Sequence, residues 1–245
     1  MQPTFLPWQG YFGMIEMSDI FVFLDDVQFV RRSFHHRNRI FGEGASVDWI
    51  TIPVADTGQQ TRIDAAGVSL DANQQRKMMR RLQHIYGRMP HFDSVFSLFV
   101  ERLERNKGKS LADLNIDLIV GFARLAGFAP TWKRSAELAA EGQRSSKISA
   151  ILERIGAKSY ISAGGSFDYM RTDGIFPLPN IRTAFFSFEA QSYPQRQAPD
   201  FVPNLSILDA LFQIGGPATG EAIKSGLRTP MTWGQRAAVG AALEV

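Results

Sequence analysis

The chain has no cysteine, which excludes disulfides, thiolate metal sites and a cysteine nucleophile. It has no apolar run near the roughly 18 residues of a membrane span. Its N-terminus lacks the basic region and small-residue cleavage site of a signal peptide. A cytoplasmic protein is the resulting expectation. Charge is sparse, with 21% charged residues, and nearly balanced, with 27 basic against 24 acidic side chains for a net +3. The basic residues are scattered, apart from Arg31 and Arg32, Arg37 and Arg39, Arg80 and Arg81, and the stretch 102–109. No basic stripe is interleaved with stacking aromatics, so the pI near 9.3 does not point to a dedicated nucleic-acid binder. GxGxxG, the P-loop, HExxH, the nucleophile elbow and the kinase set are all missing.

What is present is a sizeable apolar fraction. Of 245 residues 44% are hydrophobic, and 19 phenylalanines favour an aromatic-rich core. Residues 1–12 carry Pro3, Pro7 and Gly10 among aromatics, the composition of a structured loop, because proline cannot sit inside a ladder or helix. A short helix over 12–18 leads to a continuous apolar run at 20–24, of the kind found in buried parallel strands. Residues 27–41 alternate poorly and suggest no strand. A second strand is expected over 47–54 and a short third at 68–70. From Ala72 the spacing of Met78, Leu82, Ile85 and Tyr86 turns helical. Pro90 breaks that helix, another begins at Phe92, and a third carries Leu111, Leu114, Leu118, Ile119 and Phe122 on one face. A helix over 145–155, strands at 159–162 and 181–188, and a helix opened near Asn204 or Ser206 and stopped by Gly215 and Gly216 complete the pattern.

This order predicts an α/β fold: a mainly parallel, Rossmann-like sheet with a helical insertion or subdomain in the middle of the chain. The expected division is an α/β core from residues 1–71 and 130–216, a helical subdomain over 72–129 and a C-terminal tail over 217–245. Ligands of open sheets bind beyond the carboxyl ends of strands. That rule singles out Asp25 and Asp26, which follow the first strand, and Gly164 and Gly165, which follow a later one.

Paired carboxylates at a strand end suit a base, a hydroxyl acceptor or a cation site, and their mutual repulsion needs an offset. A helix cap, or an ion pair with Arg37 or Arg39, is the structural alternative. Gln28 follows closely. Arg37, Asn38 and Arg39 offer bidentate and donor–acceptor groups for an anion. His35 and His36 are adjacent and so point to different sides, a poor arrangement for joint metal ligation. Gln2, Trp8 and Tyr11 present polar and flat surfaces from the Pro-fixed loop, and serve equally well as packing. Tyr160, Gly164, Gly165 and Tyr169 flank a strand-to-helix turn where glycine permits close backbone approach. Ser145, Ser146 and Lys147 fit a helix cap better than an anion site. Asn204, Ser206 and Asp209 read as a cap and a polar helix face.

Several of these segments, in this order, resemble the WbqC-like protein family. They are the run from Gln2 to Phe12, then Ser18, Asp19 and Ile20, then Asp25 to Phe29, Arg37 to Ile40, and Trp49 to Val54. Tyr86-Gly87, Ser110-Leu111, Asn115-Ile116, Tyr160-Ile161-Ser162, Gly165, Tyr169, Tyr193-Pro194, Gln197 and the stretch 201–209 continue the likeness, which covers roughly residues 1–216. Members carry a short apolar strand directly before the Gln-Pro signature; here the chain begins at Met1, so the resemblance predicts a missing strand. The tail after Ile223 does not follow the family pattern. The resemblance implies a role in O-antigen or other surface-polysaccharide biosynthesis, with acyl or aminoacyl transfer to an amino sugar or small amine. The implied partners are a small-molecule or sugar substrate and an acyl or aminoacyl carrier; no cofactor is assigned. On this reading Asp25 or Asp26 acts as base or orients the amine. Arg37 and Arg39 hold an anionic part of the ligand, Gln2, Trp8 and Tyr11 line the pocket, and Gly164 and Gly165 supply backbone donors. A nucleotide- or nucleotide-sugar-binding module, or a scaffold using Arg80, Arg81 and residues 102–109, is the alternative.

Overall fold

The computed structural model describes residues 1–55 and 58–243. In chain order these form α1 (Gln9–Glu16), β1 (Ile20–Phe23), β2 (Arg37–Phe41), β3 (Val47–Thr51), α2 (Ala72–Tyr86), α3 (Phe92–Arg105) and α4 (Leu111–Leu125). They continue as β4 (Thr131–Arg134), α5 (Ser135–Leu138), α6 (Arg144–Arg154), β5 (Ser159–Ser162), α7 (Phe167–Asp173), β6 (Arg182–Phe188), α8 (Ile207–Gly226), β7 (Leu227–Thr232) and α9 (Trp233–Leu243). The chain divides into one compact unit of Met1–Trp132 with Ala190–Gly226 and another of Lys133–Glu189 with Leu227–Val245. Among the described residues no helix is long and apolar enough to cross a membrane.

The first unit is mainly helical. α2 starts where Asp71 Oδ1 accepts the N–H groups of Asn73 and Gln74 at 2.7 and 2.8 Å, and α4 starts on the matching Ser110–Asp113 pair. α1, α3 and α4 pack on α8 around Phe12, Ile15, Phe99, Phe122, Leu208 and Phe212, all fully buried. Gly215 and Gly216 do not stop α8 outright. Gly215 introduces a break with φ of +75°, and the element runs on to Gly226. Their smallness serves close approach: a Cβ on Gly216 would stand 2.2 Å from the Leu125 carbonyl oxygen, and one on Gly220 2.1 Å from that of Ala126.

The expected parallel Rossmann-like sheet is corrected by this topology. β1 pairs with β4, β2 pairs antiparallel with β3, and β5, β6 and β7 form a separate sheet. β5 and β6 run parallel, and β6 and β7 run antiparallel. The apolar run that suggested a strand buried on both faces is buried on one. Phe21 and Phe23 face Trp132, at 5.9 and 5.7 Å between ring centroids, while Ile20 is 36% exposed. A short apolar run cannot distinguish these cases. β2 lies in the segment judged too polar for a strand; its inward positions include Asn38, a polar residue where the pattern calls for an apolar one. Residues 68–70 contribute only an isolated bridge between Val54 and Val68.

In the second unit Phe167, Phe176 and Phe185 pack with Trp233, the first at 5.0 Å. The C-terminal stretch that matched no family pattern therefore supplies β7 and the half-buried Trp233 indole of this unit.

Candidate functional site

Met1 bonds to β1 in the parallel manner. Its terminal nitrogen donates to the Val22 carbonyl at 2.8 Å, and Leu24 N–H donates to the Met1 carbonyl at 2.8 Å. The next residues on each segment, Gln2 and Asp25, consequently leave the same end of the pair. Tyr11, buried on α1, donates its hydroxyl to the Gln2 carbonyl at 2.9 Å. Burial holds that phenol well above the usual tyrosine range.

Asp25 is completely buried and Asp26 partly so. Residues 25–29 run against 61–64: Asp64 N–H donates to the Asp25 carbonyl at 3.0 Å, Ile63 N–H to Val27 at 2.9 Å and Phe29 N–H to Thr61 at 2.8 Å. This brings Arg62 beside the acids. Its pKa is raised first by its hydrogen bond to Asp64, then by the charges of Asp64, Asp26 and Asp25. The offset to carboxylate repulsion thus includes a residue 36 positions along the chain from Asp26, which sequence inspection missed. Gln28 is exposed and spends its carboxamide nitrogen on the Gln59 carbonyl at 2.6 Å.

Trp8, Asn38 and Arg39 meet at a different junction of the same unit. Asn38, 2% exposed, donates to the Phe5 carbonyl at 3.1 Å. Arg39 donates to the Asn204 carbonyl at 3.0 Å, and its own carbonyl accepts Ser206 N–H at 2.7 Å. Trp8 bridges Ser206 and lies over Gly10, where a Cβ would come within 2.2 Å of the indole. Arg37 stacks on Trp49 at 4.2 Å and donates to the Arg32 carbonyl at 2.5 Å. Among the described residues neither Arg37 nor Arg39 ion-pairs with a carboxylate, so these cations hold carbonyl oxygens and a ring rather than the strand-end acids.

The two histidines are fixed in opposite tautomers. His35 Nδ1 accepts Val30 N–H at 3.1 Å, so the proton of the neutral ring sits on Nε2, 2.9 Å from Gln2 Oε1. His36 Nε2 accepts Arg32 N–H at 2.9 Å, so its Nδ1 donates to the Ile52 carbonyl at 3.2 Å. Burial is the first cause that lowers both pKa values, and the neighbouring His36 helps bring His35 to about 4. All four ring nitrogens are engaged within the protein. Among the described residues no group of three or more His, Asp or Glu side chains is placed to hold a metal.

Tyr160, Gly164, Gly165 and Tyr169 lie together in the second unit. Tyr160 and Ser162 hydroxyls are 3.0 Å apart, and Ser162 and Ser166 hydroxyls 2.5 Å. Gly165 is exposed, and a Cβ there would meet nothing within 4 Å. Tyr169 stacks under Arg144 at 5.2 Å. The start of α6 is filled from within this unit: Asp173 takes the Ser145 hydroxyl at 2.7 Å and pairs with Arg144 at 3.3 Å. That contact explains the capping character of residues 144–147 without an external anion.

Residue typing also missed two buried polar centres of the first unit. Asp209, fully buried, is more than part of a polar helix face. Its Oδ2 accepts from Tyr193 at 2.7 Å and Gln195 at 2.8 Å, and burial pushes its pKa up. Asn115 on α4, also fully buried, donates to the Pro3 carbonyl at 3.1 Å and the His35 carbonyl at 2.8 Å, tying the N-terminal loop to His35. Both were visible only as polar residues inside strongly apolar helical patterns.

The uncharacterized protein Rv1507c of Mycobacterium tuberculosis is 25% identical over 224 residues, spanning 89% of this chain and 94% of its own. No solved structure matches the chain. A model of the WbqC-like protein family matches residues 2–221, a span that includes the Gln2 loop, Asp25 and Asp26, His35, Asn115 and Asp209, and the chain therefore belongs to the WbqC-like protein family.

Proposed function

We propose that the chain is a transferase that joins an acyl or aminoacyl group to the amine of an amino sugar or another small amine, in surface-polysaccharide, O-antigen or related biosynthesis. What supports the reading is one observation: the parallel bonding of Met1 to β1 makes the chain at Gln2 and the chain at Asp25 and Asp26 leave at the same end. Carboxylates suit a protonated amine, and a carboxamide suits a neighbouring oxygen of the same ligand. Asp26, the less buried acid, takes one proton from the ammonium, and the freed amine attacks the donor carbonyl; the second nitrogen proton leaves with the departing group. The N–C bond forms, and the bond to the donor's leaving group breaks with its electron pair. Asp25, fully buried, orients Asp26 and the amine. Tyr11, whose hydroxyl holds the Gln2 carbonyl, fixes this end of the site, while Trp8, Arg37 and Arg39 lie at other junctions and take no part in the step. The donor is carried as an acyl or aminoacyl carrier, and the setting is the cytoplasm.

The test is titration of D-glucosamine into isotope-labelled wild type and Asp26→Asn. Saturable binding with wild type and its loss in the variant, with no fall in melting temperature, supports the reading; equal binding by both refutes it. A second reading, a nucleotide- or nucleotide-sugar-binding module, is favoured by the open Gly164–Gly165 turn after β5 beside parallel β6. Under that reading binding follows the nucleotide and ignores Asp26.

A further inference from the structure

The exposed Gln2 side chain has a defined polarity. Val30 N–H is a backbone donor, so the His35 Nδ1 it meets at 3.1 Å must be an acceptor. The neutral ring can then carry its proton only on Nε2. An N–H at 2.9 Å from Gln2 needs an acceptor, so the atom it meets is Oε1 and not the amide nitrogen. His35 is 4% exposed, and the Val30 N–H bond to Nδ1 sets which edge of the ring faces Gln2. The Gln2 main chain is held by the Tyr11 hydroxyl at 2.9 Å. What remains is the Gln2 carboxamide nitrogen, with two N–H donors and no protein acceptor among the described residues.

We infer that His35 is a positioning residue that holds the Gln2 carboxamide oxygen and so presents its nitrogen, with two N–H donors, to a ligand; the group recognised there is an acceptor oxygen: a carboxylate, carbonyl or hydroxyl. This rests on the reading of the β1 end as the ligand site. Together with Asp25 and Asp26 it defines a polar ligand: an amine at the carboxylates and an oxygen at the carboxamide. A ligand with a cation at both ends finds no acceptor in the Gln2 carboxamide nitrogen and gains no hydrogen bond from it.

Magnetic resonance of the isotope-labelled full chain tests the two parts separately. At neutral pH the His35 ring should show a protonated Nε2 and an unprotonated Nδ1, with the Gln2 amide protons remote from the ring proton. A protonated Nδ1, or a close contact between those protons, overturns the inference. The probes for selectivity are β-alanine and trimethylenediamine, which share an ammonium and differ in the group at the other end. Wild type should prefer β-alanine by about tenfold, the worth of one charge-assisted hydrogen bond. His35→Asn keeps an acceptor for Val30 N–H and is too short to reach Gln2; it should remain folded and lose that preference, whereas His35→Gln, which still reaches Gln2, should retain part of it. A preference unchanged in His35→Asn overturns the inference. Correct tautomers with neither probe bound leave the positioning of Gln2 standing and remove the amine-site reading instead.

Discussion

Acid should destabilise this protein through His35 in a window that can be worked out from its surroundings. Burial, aided by the charge of His36, brings its pKa from 6.5 to about 4. Above the upper value the ring is neutral both folded and unfolded. Between the two, the unfolded chain binds a proton that the folded chain refuses, so stability falls as the pH falls; below the lower value both states are protonated and the loss levels off. The 2.5-unit gap between 6.5 and about 4 corresponds to roughly 3 kcal/mol, a large share of the ~5–15 kcal/mol that typically holds a domain together. Urea unfolding of wild type and His35→Asn from about pH 7 to about pH 4 isolates the term, because the other titrating groups are present in both proteins. The stability advantage of wild type over the variant should shrink by roughly 3 kcal/mol across the window. A difference that stays constant, or that grows as the pH falls, refutes the reasoning, since it would mean that the folded ring accepts the proton.

Asp209 should behave in the opposite sense. Its folded pKa is raised above 3.8 by burial, so its contribution is present below that value and is lost as pH rises through the folded pKa. Asp209→Asn, which keeps an acceptor for Tyr193 and Gln195, should therefore gain on wild type as pH increases above about 4, measured by denaturant unfolding; a difference that does not vary with pH counts against a buried, proton-retaining carboxyl. Gly10→Ala places a methyl 2.2 Å from the Trp8 ring and should cost about 1–3 kcal/mol by overpacking, read as a lower melting temperature with altered tryptophan emission. Unchanged stability and emission would show that Trp8 does not lie over Gly10.

The helices α2, α3, α4 and α6 were legible in the sequence because their signals are local, whereas α5, α7 and α9 were not. Asp71 and Ser110 stand three residues before Gln74 and Asp113, and Pro90 separates α2 from α3. Sheet assembly was not legible, because it depends on partners. Nothing local tells that Phe21 and Phe23 face Trp132 while Ile20 is exposed, or that Asn38 turns inward to the Phe5 carbonyl. The candidate site divides in the same way. The two acids after β1 were visible as a conspicuous pair, but Arg62 is brought to them only by the pairing of 25–29 with 61–64. His35 read as a weak candidate, since adjacent histidines make poor joint ligands; its importance lies in what each ring nitrogen meets, which residue type does not encode.

The site at the end of β1 is tested most directly by mapping where an amino sugar binds. In a D-glucosamine titration of the isotope-labelled chain, the largest resonance changes should fall on Gln2, Asp25 and Asp26 and should vanish in Asp26→Asn. Changes centred on Gly164, Gly165 and Tyr169, with the Gln2 amide unmoved, would contradict the account.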